Sequence, residues 1–487
     1  MGALRRANRH VLRAAGTVNP AFRPSYHAAA PAGWINDPNG LCWHRGECRL
    51  FYQHNPFAPR WGRMYWGQCA SKDMLSWEHR PIVLAPDRCY DGLLGCFSGT
   101  SVEVDGALAL MYTGVSAFGQ LQCLAVSQDG SRFRKVPGNP VIRKRQLPPN
   151  ASPADFRDPK VFRRDGAFWC LAGARDRDKG TGMLLLFRST DLRQWKYVGE
   201  AWSSSESPML ECPDLCALDG HDVLICSPTS LARRGDEFQN LHSVVYCAGR
   251  LDTESGRFEG PPCREIDSGF DFYAAQTCAL PDGRTILIAW MQMWKRSMPT
   301  AELGHGWAGS MTLPRELSLV DGRLRQAPVR EIGARRRNAV VHADLRFSGE
   351  LSLAGVEGAR IELAVKADLR EARSFEIRFF RGGKDCAVAR YETESGRMVL
   401  DRGACGVPIR NVGGKENDTT RAARIALKDG ILDLRLFLDR SSAEVFLQDG
   451  EATMTATMYP AEDATGIGFR AEGTARLLRV EKYDIVV

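Results

Sequence analysis

The chain has 487 residues, of which 44% are hydrophobic and 25% charged, and its formal net charge at pH 7 is +7. This composition is typical of a globular protein with two or three domains. The positive charges are scattered rather than gathered in a stripe, which argues against a nucleic-acid-binding protein. No run of about 18 apolar residues occurs, so no transmembrane helix and no membrane association are predicted.

Residues 1–22 form a basic N-terminal segment, for which we predict a helix. No acidic residue precedes Asp37. No apolar run follows the basic residues, which disfavours a secretory signal, and the absence of serine before Ser25 disfavours an organelle transit peptide. The cations that could line one face of the helix are Arg5, Arg6, Arg9, His10 and Arg13.

A repeat of about sixty residues organises residues 23–330. Five short apolar strands each begin at a glycine, at intervals of 54 to 63 residues, and the fourth unit carries an insertion around Leu231–Asn240. Ser-x-Asp-x-x-x-aromatic signatures begin at Ser71, Ser127 and Ser189. Units of four short strands, with no helical segment between them, predict an all-β fold with a five-bladed β-propeller and exclude a βαβ barrel. The five glycines are Gly46, Gly106, Gly166, Gly220 and Gly283.

Three carboxylates occupy equivalent positions in this repeat. Asp37, Asp158 and Glu211 lie eight or nine residues before the glycine of their unit; in the other two units Ser98, eight residues before, and roughly Tyr273, ten residues before, occupy the same position. If the position lies on the inner strand, the pseudo-rotation of a propeller brings all five side chains to the axial cavity. Converging carboxylates repel one another and are costly to desolvate, so a functional site is favoured over a structural role.

Aromatic and polar groups suited to binding a sugar accompany these acids. Gln53 and Arg157 lie in or beside apolar strands, where an unpaired polar group is costly, so we expect both to face a ligand. Packing in a blade core is an equally good interpretation for any single tryptophan. The candidate stacking residues are Trp34, Trp61, Trp66, Trp290 and Trp294, and the candidate hydrogen-bonding residues are Asn36, Gln53, Ser98 and Arg157.

The pattern changes after about Pro328. We interpret Arg335–Asn338 as a polar linker, and the period-two alternation that follows, as in Leu432–Leu438, predicts a β-sandwich over residues 331–487. No catalytic chemistry is predicted for this second domain. It is interpreted as a packing or carbohydrate-contacting module.

The 15 cysteines are odd in number and contain no C-x-x-C pair and no Cys/His spacing typical of a metal site. Many lie in apolar runs, as Cys170 does, and are interpreted as buried thiols of a protein in a reducing compartment. We therefore predict a cytoplasmic location, with neither a metal nor an organic cofactor.

Seven motifs in order resemble glycoside hydrolase family 32, the β-fructofuranosidases, which include invertases, sucrose-6-phosphate hydrolases and fructan hydrolases. The resemblance runs from about Tyr26 to the C-terminus and includes Phe437–Phe446 in the second domain. The motifs are Trp34–Gly40 (WINDPNG), Gln53, Phe97–Gly99, Phe156–Pro159, Glu211–Pro213, Phe272–Ala274 and Trp307–Gly309.

The resemblance implies a retaining hydrolase that removes terminal β-D-fructofuranosyl units from sucrose, sucrose 6-phosphate or short fructans. Asp37 would be the nucleophile, Glu211 the general acid/base, and Asp158 the stabiliser of the transition state. The expected partner is a small sugar, and the expected oligomeric state is a monomer or a homodimer. The expected substrate-binding residues are Asn36, Gln53, Trp61, Phe97, Ser98, Arg157, Tyr273 and Trp294.

Other functions remain as alternatives. The closest alternative is fructosyl transfer or fructan hydrolysis on the same scaffold. Transfer and hydrolysis share the covalent intermediate and differ in the acceptor. A five-bladed arabinanase or xylosidase would also converge three acids, but normally lacks the full Trp34–Gly40 and Glu211–Pro213 motifs. The non-enzyme alternative is a sugar-binding propeller. Candidate phosphate ligands, each more simply interpreted as a solvated surface group, are Arg60, Arg175, Lys179, Lys295 and Arg296.

Overall fold

The computed structural model describes residues 2–412 and 419–487, in which β-strands, almost all of them antiparallel, make up most of the regular secondary structure. The predicted all-β architecture, a five-bladed propeller followed by a sandwich, is confirmed. Helix α1 (Ala3–Ala15) precedes the propeller, and a 3-10 helix at Lys144–Gln146 and helix α2 (Pro299–Glu302) lie within it.

Each blade is a sheet whose first strand lies nearest the axis. The strands of the first three blades are β1 (Gly33–His44), β2 (Glu47–Asn55), β3 (Tyr65–Ser71) and β4 (Glu78–Leu84); β5 (Gly95–Val104), β6 (Ala107–Ser116), β7 (Gly119–Ser127) and β8 (Arg134–Lys135); and β9 (Ala151–Arg164), β10 (Ala167–Asp176), β11 (Thr181–Ser189) and β12 (Lys196–Ser204).

The fourth and fifth blades follow the same order, and a short strand closes the ring. The fourth blade contains β13 (Leu210–Leu218), β14 (His221–Pro228), β15 (Val245–Asp252), β16 (Arg257–Glu259) and β17 (Arg264–Glu265). The fifth contains β18 (Tyr273–Ala279), β19 (Thr285–Trp290), β21 (Arg315–Val320) and β22 (Arg323–Pro328). Strand β20 (Trp307–Ala308) pairs in parallel with β1 of the first blade.

Local turn chemistry explains the repeat. The five predicted glycines each occupy the turn between the first and second strands of a blade, with φ between 71° and 87°, a conformation that favours glycine. In the Ser-x-Asp signature, the serine hydroxyl donates to the aspartate carboxylate, as in Ser71 to Asp73 at 2.8 Å. The same carboxylate accepts the backbone N–H groups of Leu75 and Ser76, which closes the turn before the outer strand.

The second domain is one hydrogen-bonded network of nine strands that folds over an apolar core. It contains β23 (Arg336–Leu351), β24 (Arg360–Gly382), β25 (Asp385–Glu392), β26 (Arg397–Ala404), β27 (Thr420–Arg424), β28 (Ile431–Asp439), β29 (Ser442–Leu447), β30 (Ala452–Thr457) and β31 (Gly466–Ile485).

The predicted linker at Arg335–Asn338 is wrong. A 3-10 helix at Arg330–Arg335 leads directly into β23, and both flanking arginines form ion pairs. Arg335 pairs with Asp73 of the first blade, and Arg336 pairs with Glu362 at 2.7 Å. We propose the division into residues 1–22, 23–330 and 331–487, with this short 3-10 helix marking the boundary between the two larger domains.

A buried charge cluster joins the propeller to the sandwich. The His27 ring lies between Asp439 and Glu444, with each ring nitrogen 2.8 Å from a carboxylate oxygen. Arg315 donates to Glu444 at 2.6 Å and to Asp267 at 3.0 Å. All these side chains are at most 1% exposed, so each charge relies on its protein partners for solvation.

Helix α1 packs on the outside of the first blade. Its Ala7 is fully buried in a cluster with Tyr65 and Ile82, and Asn8 accepts the backbone N–H of Ile82 at 2.8 Å. On its flank, the His10 ring contacts Phe57 with centroids 5.1 Å apart. The helix therefore holds the loop between β2 and β3, to which Phe57 belongs.

Candidate active site

A β-bulge interrupts each of the five inner strands at the same level. The pairing register shifts beside Asp37 on β1, Ser98 on β5, Asp158 on β9, Glu211 on β13 and Tyr273 on β18. A bulge leaves a residue unpaired and redirects its side chain. The five residues that share one position in the sequence repeat therefore meet at one end of the propeller axis, as the hydrogen bonds below show.

Asp37 lies in a polar cradle. Its carboxylate accepts the Ser98 hydroxyl at 2.6 Å and the Asn36 amide at 3.0 Å. The Asn36 amide is oriented in turn by the Trp34 indole N–H, which donates to it at 2.7 Å. Burial raises the pKa of Asp37, with a further contribution from the Glu211 charge, while the bonds from Ser98 and Asn36 oppose the rise.

Cys212 bridges two of the acids. Its backbone N–H donates to Asp158 Oδ2 at 3.1 Å, and its sulfur lies 3.6 Å from Asp37 Oδ2 and 3.7 Å from Asp158 Oδ2. Burial and the surrounding carboxylates raise the pKa of this thiol well above its usual value. Cys212 is therefore a neutral donor placed between two carboxylates.

Asp158 has the most desolvated of the three acidic side chains. It is 6% exposed, and its backbone has φ of 62°, a conformation that non-glycine residues adopt rarely. Burial raises its pKa to about 7, and the charges of Glu211 and Asp37 add to the rise while Arg157 opposes it.

Glu211 is held by the strongest donors in the site. Arg157 donates to its Oε1 through Nη2 at 2.7 Å and Nε at 3.2 Å, and the Tyr273 hydroxyl donates to Oε2. Burial opposes its ionisation, but the Arg157 charge and the Tyr273 bond outweigh burial, and the pKa of Glu211 lies below its ordinary value.

Blade 2 supplies residues that no pattern in the sequence indicates. Thr113 accepts the backbone N–H of Asp158 at 3.0 Å, and Gln122 donates to the carbonyl of Phe156 at 3.0 Å. Gln120 accepts both the backbone N–H of Phe156 and a guanidinium N–H of Arg157. No sequence motif marks these residues, because their partners lie in the next blade.

The predicted sugar-binding residues that do not contact the acids fall into two groups. Trp61 is 42% exposed and packs edge-on against Phe97, and Trp294 is half-buried beside Trp34. Their positions suit contact with a ligand. Gln53, by contrast, is 2% exposed and donates to the carbonyl of Cys96 at 3.0 Å, so an internal bond accounts for its burial without a ligand.

Two further expectations need correction. Trp66 and Trp290 are fully buried and belong to hydrophobic clusters, so they offer no stacking face. Arg296, a candidate phosphate ligand that was more simply interpreted as a solvated surface group, is neither, because it is buried and paired with Asp271 at 2.8 Å. Lys295 and Arg60 are exposed.

Within the described ranges 2–412 and 419–487, no group of His, Cys, Asp and Glu side chains is arranged to hold a metal ion. In the same part of the chain, no helix has the length and apolar character needed to cross a membrane.

The chain is similar to curated enzymes over almost its whole length. It is 38% identical over 473 residues to a raffinose invertase of Escherichia coli, with 93% of each chain covered. It is also 38% identical over 457 residues to a sucrose-6-phosphate hydrolase of Escherichia coli, with 90% of each chain covered.

Solved structures and family models agree with these relatives. The Bombyx mori family 32 β-fructofuranosidase has a TM-score of 0.85 at 32% identity, covering 99% of this chain and 98% of its own. A sucrose-6-phosphate hydrolase of Lactobacillus gasseri has a TM-score of 0.87 at 26% identity, with 98% and 96% covered. The glycosyl hydrolases family 32 N-terminal domain matches residues 27–328, and the family 32 C-terminal domain matches residues 330–485. This chain therefore belongs to glycosyl hydrolase family 32.

Proposed function

We propose that the protein is a retaining β-fructofuranosidase that cleaves the terminal fructosyl unit of sucrose or of sucrose 6-phosphate. The observation that carries the proposal is the convergence of Asp37, Asp158 and Glu211, each in a different electrostatic setting. Membership of a glycosidase family supports hydrolysis of a glycosidic bond over a purely sugar-binding role.

Asp37 is the proposed nucleophile and Glu211 the proposed acid/base. Asp37 attacks the anomeric carbon while Glu211 gives a proton to the leaving oxygen, so one C–O bond forms as the glycosidic C–O bond breaks. Glu211 then takes a proton from water, whose oxygen attacks the same carbon and releases Asp37. Asp158 accepts hydrogen bonds from fructosyl hydroxyls and stabilises positive charge on the ring.

The location of the acidic proton follows from the whole cluster rather than from Glu211 alone. In the site without a bound sugar, the pKa values of Asp158 and Asp37 are raised and the pKa of Glu211 is lowered. Interacting carboxylates titrate as a unit, so a proton held by the cluster can change position when their partners change. Sugar hydroxyls that donate to Asp158 favour its ionised form, which makes that proton available to Glu211.

The relatives favour sucrose-type substrates. Curated relatives at 34–38% identity include a raffinose invertase and several sucrose-6-phosphate hydrolases, and a mutant of the Bombyx mori enzyme has been solved in complex with sucrose. An assay of products from sucrose, sucrose 6-phosphate and inulin tests the substrate. Equal activity on all three would contradict the proposed preference for sucrose or sucrose 6-phosphate. Fructosyl oligomers as the main products would favour fructosyl transfer over hydrolysis.

Replacement of the nucleophile tests the chemistry itself. Asp37→Asn should abolish turnover with little change in folding, because an amide cannot form the fructosyl ester. A variant that kept more than about a tenth of parental activity would be incompatible with this role.

A second pair of variants separates Glu211 from Asp158. Glu211→Ala should lose sucrose hydrolysis but keep the first step on a fructosyl donor with a good leaving group, since that step needs no acid. Added azide should restore some turnover, because a small anion attacks without a base. Asp158→Ala should weaken reaction with every donor and gain nothing from azide. Rescue of the Asp158 variant alone would reverse the two roles.

The cellular setting is a further part of the proposal. All 15 cysteines are free thiols, and 10 of them are buried, which supports a reducing compartment such as the cytoplasm. We propose a monomer or a homodimer, and light scattering of the purified protein measures which form is present.

A further inference from the structure

Gln120 lies at the start of β7 and contacts the inner strand of the next blade. Its side-chain oxygen accepts the backbone N–H of Phe156 at 2.9 Å and Nη1 of Arg157 at 3.3 Å. One oxygen therefore restrains both the backbone bend before Asp158 and the guanidinium group that holds Glu211. Two simultaneous donors also fix the orientation of the amide.

Arg157 has three carboxylates within reach. Nη2 lies 2.7 Å from Glu211, Nη1 lies 3.7 Å from Asp155, and Nε lies 3.9 Å from Asp158. The Asp155 side chain is 36% exposed, whereas that of Glu211 is 21% exposed. The guanidinium could rotate from Glu211 towards Asp155 with little change in backbone structure, because Nη1 already points to that side.

We propose that Gln120 is a positioning residue for the reaction. By accepting a hydrogen bond from Arg157 Nη1, the group that Asp155 would otherwise attract, it keeps Arg157 bonded to Glu211. The proposal rests on the acid/base role proposed for Glu211. Gln120 needs no contact with the reacting atoms, since its effect on the acid passes through Arg157.

The direction of the effect follows from the surroundings of Glu211. The Arg157 charge is the largest influence that lowers its pKa against the effect of burial. When Arg157 turns to Asp155, the pKa of Glu211 rises, and the acid remains protonated to a higher pH. The charged and titratable groups that face Glu211 are Arg157, Asp158, Tyr273, His242, Asp37 and Cys212.

The test uses Gln120→Met, which keeps the length of the side chain but removes the acceptor. We expect kcat/KM for sucrose near pH 6 to fall about three- to tenfold, and the basic limb of its pH profile to move up by about 0.3 pH unit or more. Turnover of a donor with a good leaving group should fall less, because its first step does not need the acid.

Two further variants distinguish positioning from packing. Asp155→Asn removes the competing charge, so the double variant Gln120→Met/Asp155→Asn should recover most of the lost kcat/KM and the parental basic limb. Gln122→Met is the matched control, because Gln122 holds the Phe156 carbonyl from the same strand without contacting Arg157. It should lower the rate without moving the limb.

An unmoved basic limb in Gln120→Met, or a double variant no better than the single one, would overturn the proposal. If Glu211→Ala still cleaves sucrose normally, the acid/base assignment itself fails, whatever the Gln120 variants show. Circular dichroism of each variant establishes that it is folded before the kinetics are compared.

Discussion

The buried His27 cluster predicts how the stability of the protein depends on pH. Asp439 accepts the backbone N–H groups of Ser25 and Tyr26, and Glu444 accepts two N–H groups of Arg315, so the oxygens of both carboxylates act as acceptors. Each ring nitrogen of His27 must then donate, which requires an imidazolium. Burial alone would lower the pKa of His27, but the bonds to Asp439 and Glu444 outweigh it and raise the pKa from 6.5 to about 9.

The raised pKa sets both the sign and the size of the effect. Because folding raises the affinity of His27 for a proton, the stabilisation is fully present below pH 6.5 and is lost as the pH rises towards 9. A shift from 6.5 to about 9 corresponds to about 3 kcal/mol in the free energy of unfolding, at about 1.4 kcal/mol per pH unit.

Urea unfolding of the parent and of His27→Gln, followed by tryptophan fluorescence at pH 6, 7.5 and 9, measures this contribution. The stability difference between the two proteins should be largest at pH 6 and should shrink by about 3 kcal/mol by pH 9 and above. Comparison with the variant cancels the titration of other groups that both proteins share. A difference that stays constant across this range would refute the imidazolium assignment, even if the variant is unstable.

Three further outcomes follow from the site and its supports. If the mechanism is retaining, NMR of early hydrolysis should show β-fructofuranose as the first product, and the α anomer appearing first would exclude it. Cys212→Ala should lower the rate and move the acid limb of the kcat/KM pH profile to higher pH, because Asp37 loses a neighbouring hydrogen-bond donor. An unchanged pH profile would mean that the thiol contributes only packing. Phe57→Ala should raise KM about threefold or more with a smaller change in kcat, since α1 no longer holds the loop that carries Trp61. Leu12→Ala, at a position that is 79% exposed on α1, is the control and should leave KM unchanged.

The blade count and the position of the acids could be predicted from the sequence because both depend on local chemistry. The glycine turns and the Ser-x-Asp turns involve residues only a few positions apart, so their spacing reveals the repeat directly. Once the repeat was defined, the equivalent positions of Asp37, Asp158 and Glu211 followed from the pseudo-symmetry of a propeller.

The partners of those acids were decided only by the tertiary structure. Arg157 was expected to face a ligand, yet its closest contact is Glu211, 54 residues away in the next blade. Gln120 reaches across a blade boundary to Phe156, and Trp66 and Trp290 were equally plausible as core or as site from sequence alone. Strand periodicity determines which face of a sheet a residue occupies, but the packing of one blade against the next determines which groups on that face meet, and this packing involves contacts between residues far apart in the chain.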